Sequence, residues 1–214
     1  MTKFTVYIMR HGRTRWNAEG RLQGHRDSPL LPGSLNIIRI MADFLRDKNI
    51  GTIYTSPLPR CLDTAEVVST TLNLPLRQDT RLIECSHGLC DGLLLTETYS
   101  AYPEYYAKWE KDKWNTAWPG GEAYKDVFTR AKDFITDLQL GPSPKKLDAP
   151  DNGADANNFP RPGENCLVIA HAQINMCLVG ALMSLETKKI LELRQKNGTI
   201  YIARGKKLQK IDFE

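Results

Sequence analysis

The 214-residue chain is 41% hydrophobic and 25% charged, an ordinary balance for a single α/β domain (residues 1–214) with a substantial buried core. Its net charge of +4 is small and its Lys and Arg residues form no block, which argues against a nucleic-acid groove. Five cysteines, without paired metal spacing, argue for a reducing compartment; no span approaches transmembrane length and no apolar leader opens the chain, so a cytoplasmic location without membrane attachment is expected.

The first element is the apolar run 4–9, whose β-branched and aromatic residues read as a buried strand. Arg10, His11 and Gly12 follow directly, the Gly ending the strand. Ligands of open α/β sheets bind beyond the carboxyl ends of strands, which puts His11 at the lip of a crevice. Arg10, Arg13, Arg15 and Arg21 make a cationic cluster suited to a small anionic ligand. Fixed cations hold an imidazole neutral. A neutral imidazole among guanidinium groups can attack an electrophile that bears negative charge, a description that fits a phosphate ester. Thr14, Asn17 and Gln23 add a hydroxyl and two amides, and Gly24 allows close approach.

Ser34 is expected to cap a helix with Leu35, Ile38, Met41, Phe44 and Leu45 at helical spacing. Residues 52–55 read as a second strand, followed by a helix over about 60–72. Leu82-Ile83-Glu84 precedes a Gly-punctuated loop from Gly88 to Gly92. Residues 95–118 hold seven aromatic side chains, Tyr99 to Trp118, and read as a partly covered lid or helical insertion, a wall of the substrate pocket, or both. Pro119-Gly120-Gly121-Glu122 opens an amphipathic helix with Tyr124, Val127, Phe128, Ala131, Phe134, Ile135 and Leu138 inward. The polar, Pro- and Gly-rich stretch 141–165 reads as an exposed loop. A third buried strand, 166–170, ends at His171, and a helix over about 174–185 follows. Asn197-Gly198-Thr199 marks a turn, and residues 199–203 and 208–212 form a hairpin. Strands alternating with helices predict a mainly parallel sheet covered on both faces.

The same grammar recurs at three strand ends: a short apolar strand, then His11, Arg60 or His171. Parallel strands bring such ends to one edge, and helices starting there add backbone N–H groups to an anion site. The segments from Arg10 to Asn17 and from Arg21 to Gly24 closely resemble the signature of the histidine phosphatase superfamily, the phosphoglycerate mutase-like proteins. Ser56 to Glu66 resembles the family segment with its second phosphate-binding Arg, Leu82-Ile83-Glu84 the segment with its acid, and Leu167 to His171 the strand with its second histidine.

The resemblance implies a three-layer αβα fold and metal-free phosphoryl transfer through a phosphohistidine, without a cofactor. On this reading His11 is the nucleophile. Arg10, Arg60, His171 and Asn17 hold the phosphoryl oxygens, with Gln23, Gly24 and the Ala172 N–H in support. Glu84 gives a proton to the leaving alkoxide, a role that burial or a nearby phosphate favours, and Asp91 is a second candidate. Ala172-Gln173 stands where many relatives have Gly, the segment from Leu30 to Leu35 departs from the usual pattern, and Cys85 and Cys90 flank the acid.

A phosphatase acting on a small phosphorylated metabolite fits best. Sugar phosphates, phosphoglycerates, nucleotide-derived monophosphates and phosphoproteins all remain open as substrates, and a dimer is compatible with the pattern. A mutase must hold a second anion, and the middle segment offers only Lys108, Lys111 and Lys113 amid Glu97, Glu104, Glu110 and Asp112. A catalytically idle phospholigand-binding protein is a third reading, opposed by the complete set of expected groups. A metal hydrolase on His11, His25, His87 and His171 lacks the short paired spacings of such sites.

Overall fold

The computed structural model describes residues 4–140 and 164–213. Six strands, β1 (Thr5–Arg10), β2 (Ile50–Thr55), β3 (Leu76–Gln78), β4 (Asn165–Ala170), β5 (Thr199–Arg204) and β6 (Lys207–Asp212), form one sheet in the order β3-β2-β4-β1-β5-β6. β1, β2, β3 and β4 pair in parallel, and the hairpin of β5 and β6 adds to the β1 edge antiparallel. The expected mainly parallel sheet is present, although the three-residue β3 lies in a stretch too short and polar to signal a strand.

Alternation along the central strands explains the layering. Val6, Ile8, Val168 and Ala170 face one helical layer, while Tyr7, Met9, Leu167 and Ile169 face the other, and all are buried. The first layer holds α6 (Tyr124–Leu140) and α7 (Ala172–Met183), with Val127, Phe134, Ile174 and Leu178 inward. The second holds α2 (Ser34–Leu45) and α3 (Pro59–Leu72), with Ile38, Met41, Ala65 and Val68 inward. The result is a three-layer αβα sandwich.

Four short helices complete the loops: α1 (Arg15–Glu19), α4 (Leu95–Ala101), α5 (Pro103–Lys111) and, after α7, α8 (Thr187–Glu192). α4 and α5 carry most of the aromatic stretch. Tyr106 and Trp118 are buried in the first core, where Tyr105 and Trp109 pack beside them, so the packed-lid reading describes much of this segment. The loop expected at 141–165 lies almost entirely outside the described residues.

Ser34 does not cap α2. The helix starts at Ser34 itself after Gly33, and the Ser34 hydroxyl donates to the Arg13 carbonyl at 2.7 Å, tying the helix start to the loop after His11. Thr14 is the true capping residue, closing a capping box with Asn17 at the head of α1. No described helix is long and apolar enough to cross a membrane.

Candidate active site

Strand register assembles the site. In the parallel pair of β1 and β4, Arg10 lies opposite Ala170, and in that of β2 and β4, Thr55 lies opposite Ile169. The chain leaves all three strands at one level, so His11 N donates to Ala170 O at 3.0 Å and Ser56 N to Ile169 O at 3.2 Å. His11 and His171 consequently meet edge-on, their ring centroids 5.1 Å apart.

The tautomer of His11 follows from its neighbour. Nδ1 lies 2.8 Å from the Gly12 carbonyl oxygen, which can only accept, so Nδ1 carries the proton and Nε2 keeps its lone pair. Burial, then the charges of Arg10 and Arg60, hold the ring well below the usual histidine range, although the Gly12 bond works the other way. The loop is fixed behind it. Gly12 N donates to Thr64 Oγ1 at 3.0 Å, and Asn197 Nδ2 donates to the His11 carbonyl at 2.9 Å. His11 is a buried, neutral imidazole aimed by its backbone.

Arg60 is completely buried at the start of α3. Its Nε donates to His171 Nδ1 at 3.1 Å, Nη1 to Asp27 Oδ1 at 2.8 Å and Arg26 O at 3.0 Å, and Nη2 to Gly24 O at 2.7 Å. An Nε–H can only donate, so His171 Nδ1 is the acceptor and Nε2 holds the proton, 2.8 Å from Ser56 Oγ. Burial, then Arg60, holds His171 neutral as well. Both ring nitrogens of His171 and most Arg60 donors are therefore engaged inside the protein, where the sequence reading had them facing phosphate oxygen.

Arg10 is less committed. Its Nη1 donates to Gln195 O at 3.0 Å, and its buried Nε has no acceptor among the described residues. Gln23 is similar: Oε1 accepts from Thr14 Oγ1 at 2.8 Å, while the buried Nε2 has no acceptor among the described residues. Buried N–H donors without partners are rare in folded proteins and mark places where an acceptor is expected. Asn17 spends its backbone N–H and Oδ1 on the capping box, and its Nδ2 lies 3.4 Å from Gln23 Oε1.

Glu84 is buried, and its carboxylate sits on the first turn of α7. Oε2 accepts from Gln173 N at 3.1 Å, and Oε1 from Ile174 N at 3.1 Å and from Cys85 N at 2.9 Å. Two N–H groups of the helix start thus hold Glu84, leaving that of Ala172.

Other expectations are also corrected. Asp91 uses both oxygens to accept from Gly24 N and Arg26 N, each at 2.7 Å, and so braces the loop. Gly24 allows the close approach read from the sequence: a Cβ there would lie 2.7 Å from Cys85 O, and its N–H goes to Asp91. The Arg cluster does not converge. Arg15 pairs with Glu19, and Arg21 pairs with Glu19 and donates to Gly92 O. Among the described residues no three His, Cys, Asp or Glu side chains group to hold a metal ion. His25 is exposed, with Nε2 3.1 Å from Glu84 O.

Several positioning residues were invisible as motifs. Arg130 donates to the carbonyls of Arg81 at 2.7 Å and Glu84 at 3.0 Å and pairs with Glu122, fixing the acid segment against α6. Glu122 also accepts from Ser86 N at 2.8 Å, so the Gly-Gly-Glu element was the available signal. Gln195 and Asn197, far away in sequence, had none.

Residues 6–147 match the family model of the histidine phosphatase superfamily, branch 1. The chain belongs to that superfamily. Among the chain's relatives, phosphoserine phosphatase 1 of Hydrogenobacter thermophilus is 31% identical over 63% of the chain and 64% of its own length. The 6-phosphofructo-2-kinase/fructose-2,6-bisphosphatase of Gallus gallus is 27% identical over 91% of the chain but only 36% of its own length, so the chain spans less than two thirds of either relative. Among solved structures, a mycobacterial glucosyl-3-phosphoglycerate phosphatase superposes with a TM-score of 0.74 at 24% identity, over 93% of this chain and 89% of that one. Family model and structural neighbours thus agree on the superfamily and its fold.

Proposed function

We propose that the chain acts as one domain, a cytoplasmic phosphomonoester hydrolase working through a phosphohistidine on His11 without a metal. The observation that carries this reading is the state of His11: buried, neutral, protonated on Nδ1 and with its lone pair left on Nε2. In the first step Nε2 attacks phosphorus, the N–P bond forms, the ester P–O bond breaks, and Glu84 gives its proton to the departing alkoxide. In the second, water attacks phosphorus, Glu84 takes its proton, and inorganic phosphate leaves with His11 restored. Three backbone N–H groups hold the Glu84 carboxyl group in place.

Arg10, through its unpartnered Nε, Gln23 through Nε2 and the Ala172 N–H bind the phosphoryl oxygens as charge spreads over them, with Asn17 beside Gln23. Arg60 and His171 lock each other and set the potential around His11, and Gly24 keeps the loop close enough for Gln23 to reach. The substrate is a small phosphorylated metabolite.

Phosphate release from a panel of phosphomonoesters, with and without chelator, tests this reading. Native protein should release phosphate in both conditions, and His11→Ala should release none. Release that survives the substitution, or that chelator abolishes, overturns the proposal; faster transfer to 3-phosphoglycerate than to water makes the enzyme a mutase.

A further inference from the structure

Beside Arg10 and Ala172 opens a cavity of about 590 Å³. Arg10, Lys113, Arg194 and Lys196 line it, and no acidic side chain does among the described residues. This segregation is not set by local sequence, because Glu110, Asp112 and Glu192 flank the same segments and none of them reaches the lining. The remaining wall is largely apolar, from Trp109, Tyr124, Met176, Leu191 and Leu193.

Two of the cations are held in place. Lys113 Nζ lies 4.4 Å over the Trp109 ring, and Arg194 Nη1 donates to the carbonyls of Leu191 at 2.6 Å and Leu193 at 2.7 Å. The buried Trp109 Nε1 has no acceptor among the described residues, like Arg10 Nε in the same lining. Four like charges around one concavity repel each other and focus an attractive potential on an anion inside it. The phosphoryl group at His11 accounts for Arg10 alone.

We propose that the ester's leaving group carries an anionic group of its own, a carboxylate or a second phosphoryl, on a body with apolar faces, and that this cavity binds it. The inference rests on the hydrolytic reading and adds its substrate class: the phosphoryl group sits at Arg10, the apolar body lies along Trp109 and Tyr124, and the second anion meets Lys113, Arg194 and Lys196. Specificity then comes from the lysines and arginine of the α5 and α8 segments, not from the phosphate pocket.

The test compares matched esters that differ only in the second charge: glycerol 3-phosphate with 3-phosphoglycerate, phenyl phosphate with 4-carboxyphenyl phosphate, and fructose 6-phosphate with fructose 1,6-bisphosphate. In at least one pair kcat/KM should favour the more anionic member by about tenfold or more, and the pair that responds separates carboxylate from phosphoryl. Lys113→Gln should cut that ratio about threefold to fivefold, Lys113→Gln with Lys196→Gln should cut it further, and added salt should shrink it. Lys207→Gln, on β6, should keep it. Equal kcat/KM within every pair, or a preference indifferent to both lysines, overturns the proposal. Absence of phosphate release from every ester defeats the hydrolytic reading instead. Calorimetric binding of the same pairs then still decides the subsite: tighter binding of the more anionic member supports it, equal binding refutes it.

Discussion

Acidification from about pH 7 to about pH 5.5 is expected to destabilise this protein steeply, because three of its imidazoles are buried neutral. His11 and His171 are held well below 6.5 and His87 below it, burial being the largest cause in each. The unfolded chain takes up these protons near 6.5 while the folded chain does not. Stability is therefore fully present above that value and is lost as pH falls from there toward the folded-state values. Each such group contributes at most about 1.4 kcal/mol per pH unit, reached only where the unfolded chain is protonated and the folded chain is not, so the three together set a ceiling of about 4 kcal/mol per unit. For a chain of this size the ceiling is a fall in Tm of roughly 8 to 16 °C per pH unit. Differential scanning fluorimetry in phosphate-free buffers measures it, since bound phosphate would stabilise the folded state by mass action. His87→Phe, placing a ring of similar size against Trp118, should remove about a third of the slope. A Tm flat across this window, or a slope unchanged in His87→Phe, would show that these imidazoles are not held neutral and would undo the electrostatic basis of the nucleophile.

Glu84→Gln should slow release from alkyl phosphates by about 100-fold to 10,000-fold, but much less from p-nitrophenyl phosphate, whose leaving group needs no proton; equal losses on both would remove Glu84 as the acid. Arg60→Lys loses the planar fork that serves His171, Asp27, Arg26 and Gly24 together, and a cost of about 3 to 5 kcal/mol, read as a Tm drop on the order of 10 °C, is expected. A stable Arg60→Lys would mean that these bonds do not hold the loop. Gly88→Ala should cost at least about 1 to 2 kcal/mol in chemical denaturation, because the residue has φ +54° and its Cβ would meet Pro119 O; an unchanged midpoint would refute the close docking of the acid loop on residues 119–122.

His11, Arg60 and His171 were legible as candidates because they closely follow strand ends. The apolar runs before Arg10, Ser56 and His171 alternate faces, so their termini and the residues beyond them could be placed without knowing any contact. How those residues use their hydrogen bonds was not legible. The engagement of Arg60 depends on carbonyls of Gly24 and Arg26, and that of Glu84 on the first turn of α7, almost ninety positions away. Arg10, Arg13, Arg15 and Arg21 looked like one cluster because they are close in sequence, yet the short α1 turns Arg15 and Arg21 toward Glu19. Ser34 looked like a cap because Ser is a frequent one, but the Arg13 carbonyl was within reach. β3 and α8 escaped notice because three and six residues are too few to show a period.

The most direct measurement traps the covalent intermediate. Native protein mixed with a labelled phosphomonoester, quenched during turnover and digested under alkaline conditions, should carry acid-labile phosphate on the peptide containing His11, and His11→Ala should carry none. Phosphate release during turnover with no phosphate on His11, or phosphate on His171 or any other residue in its place, would contradict the account.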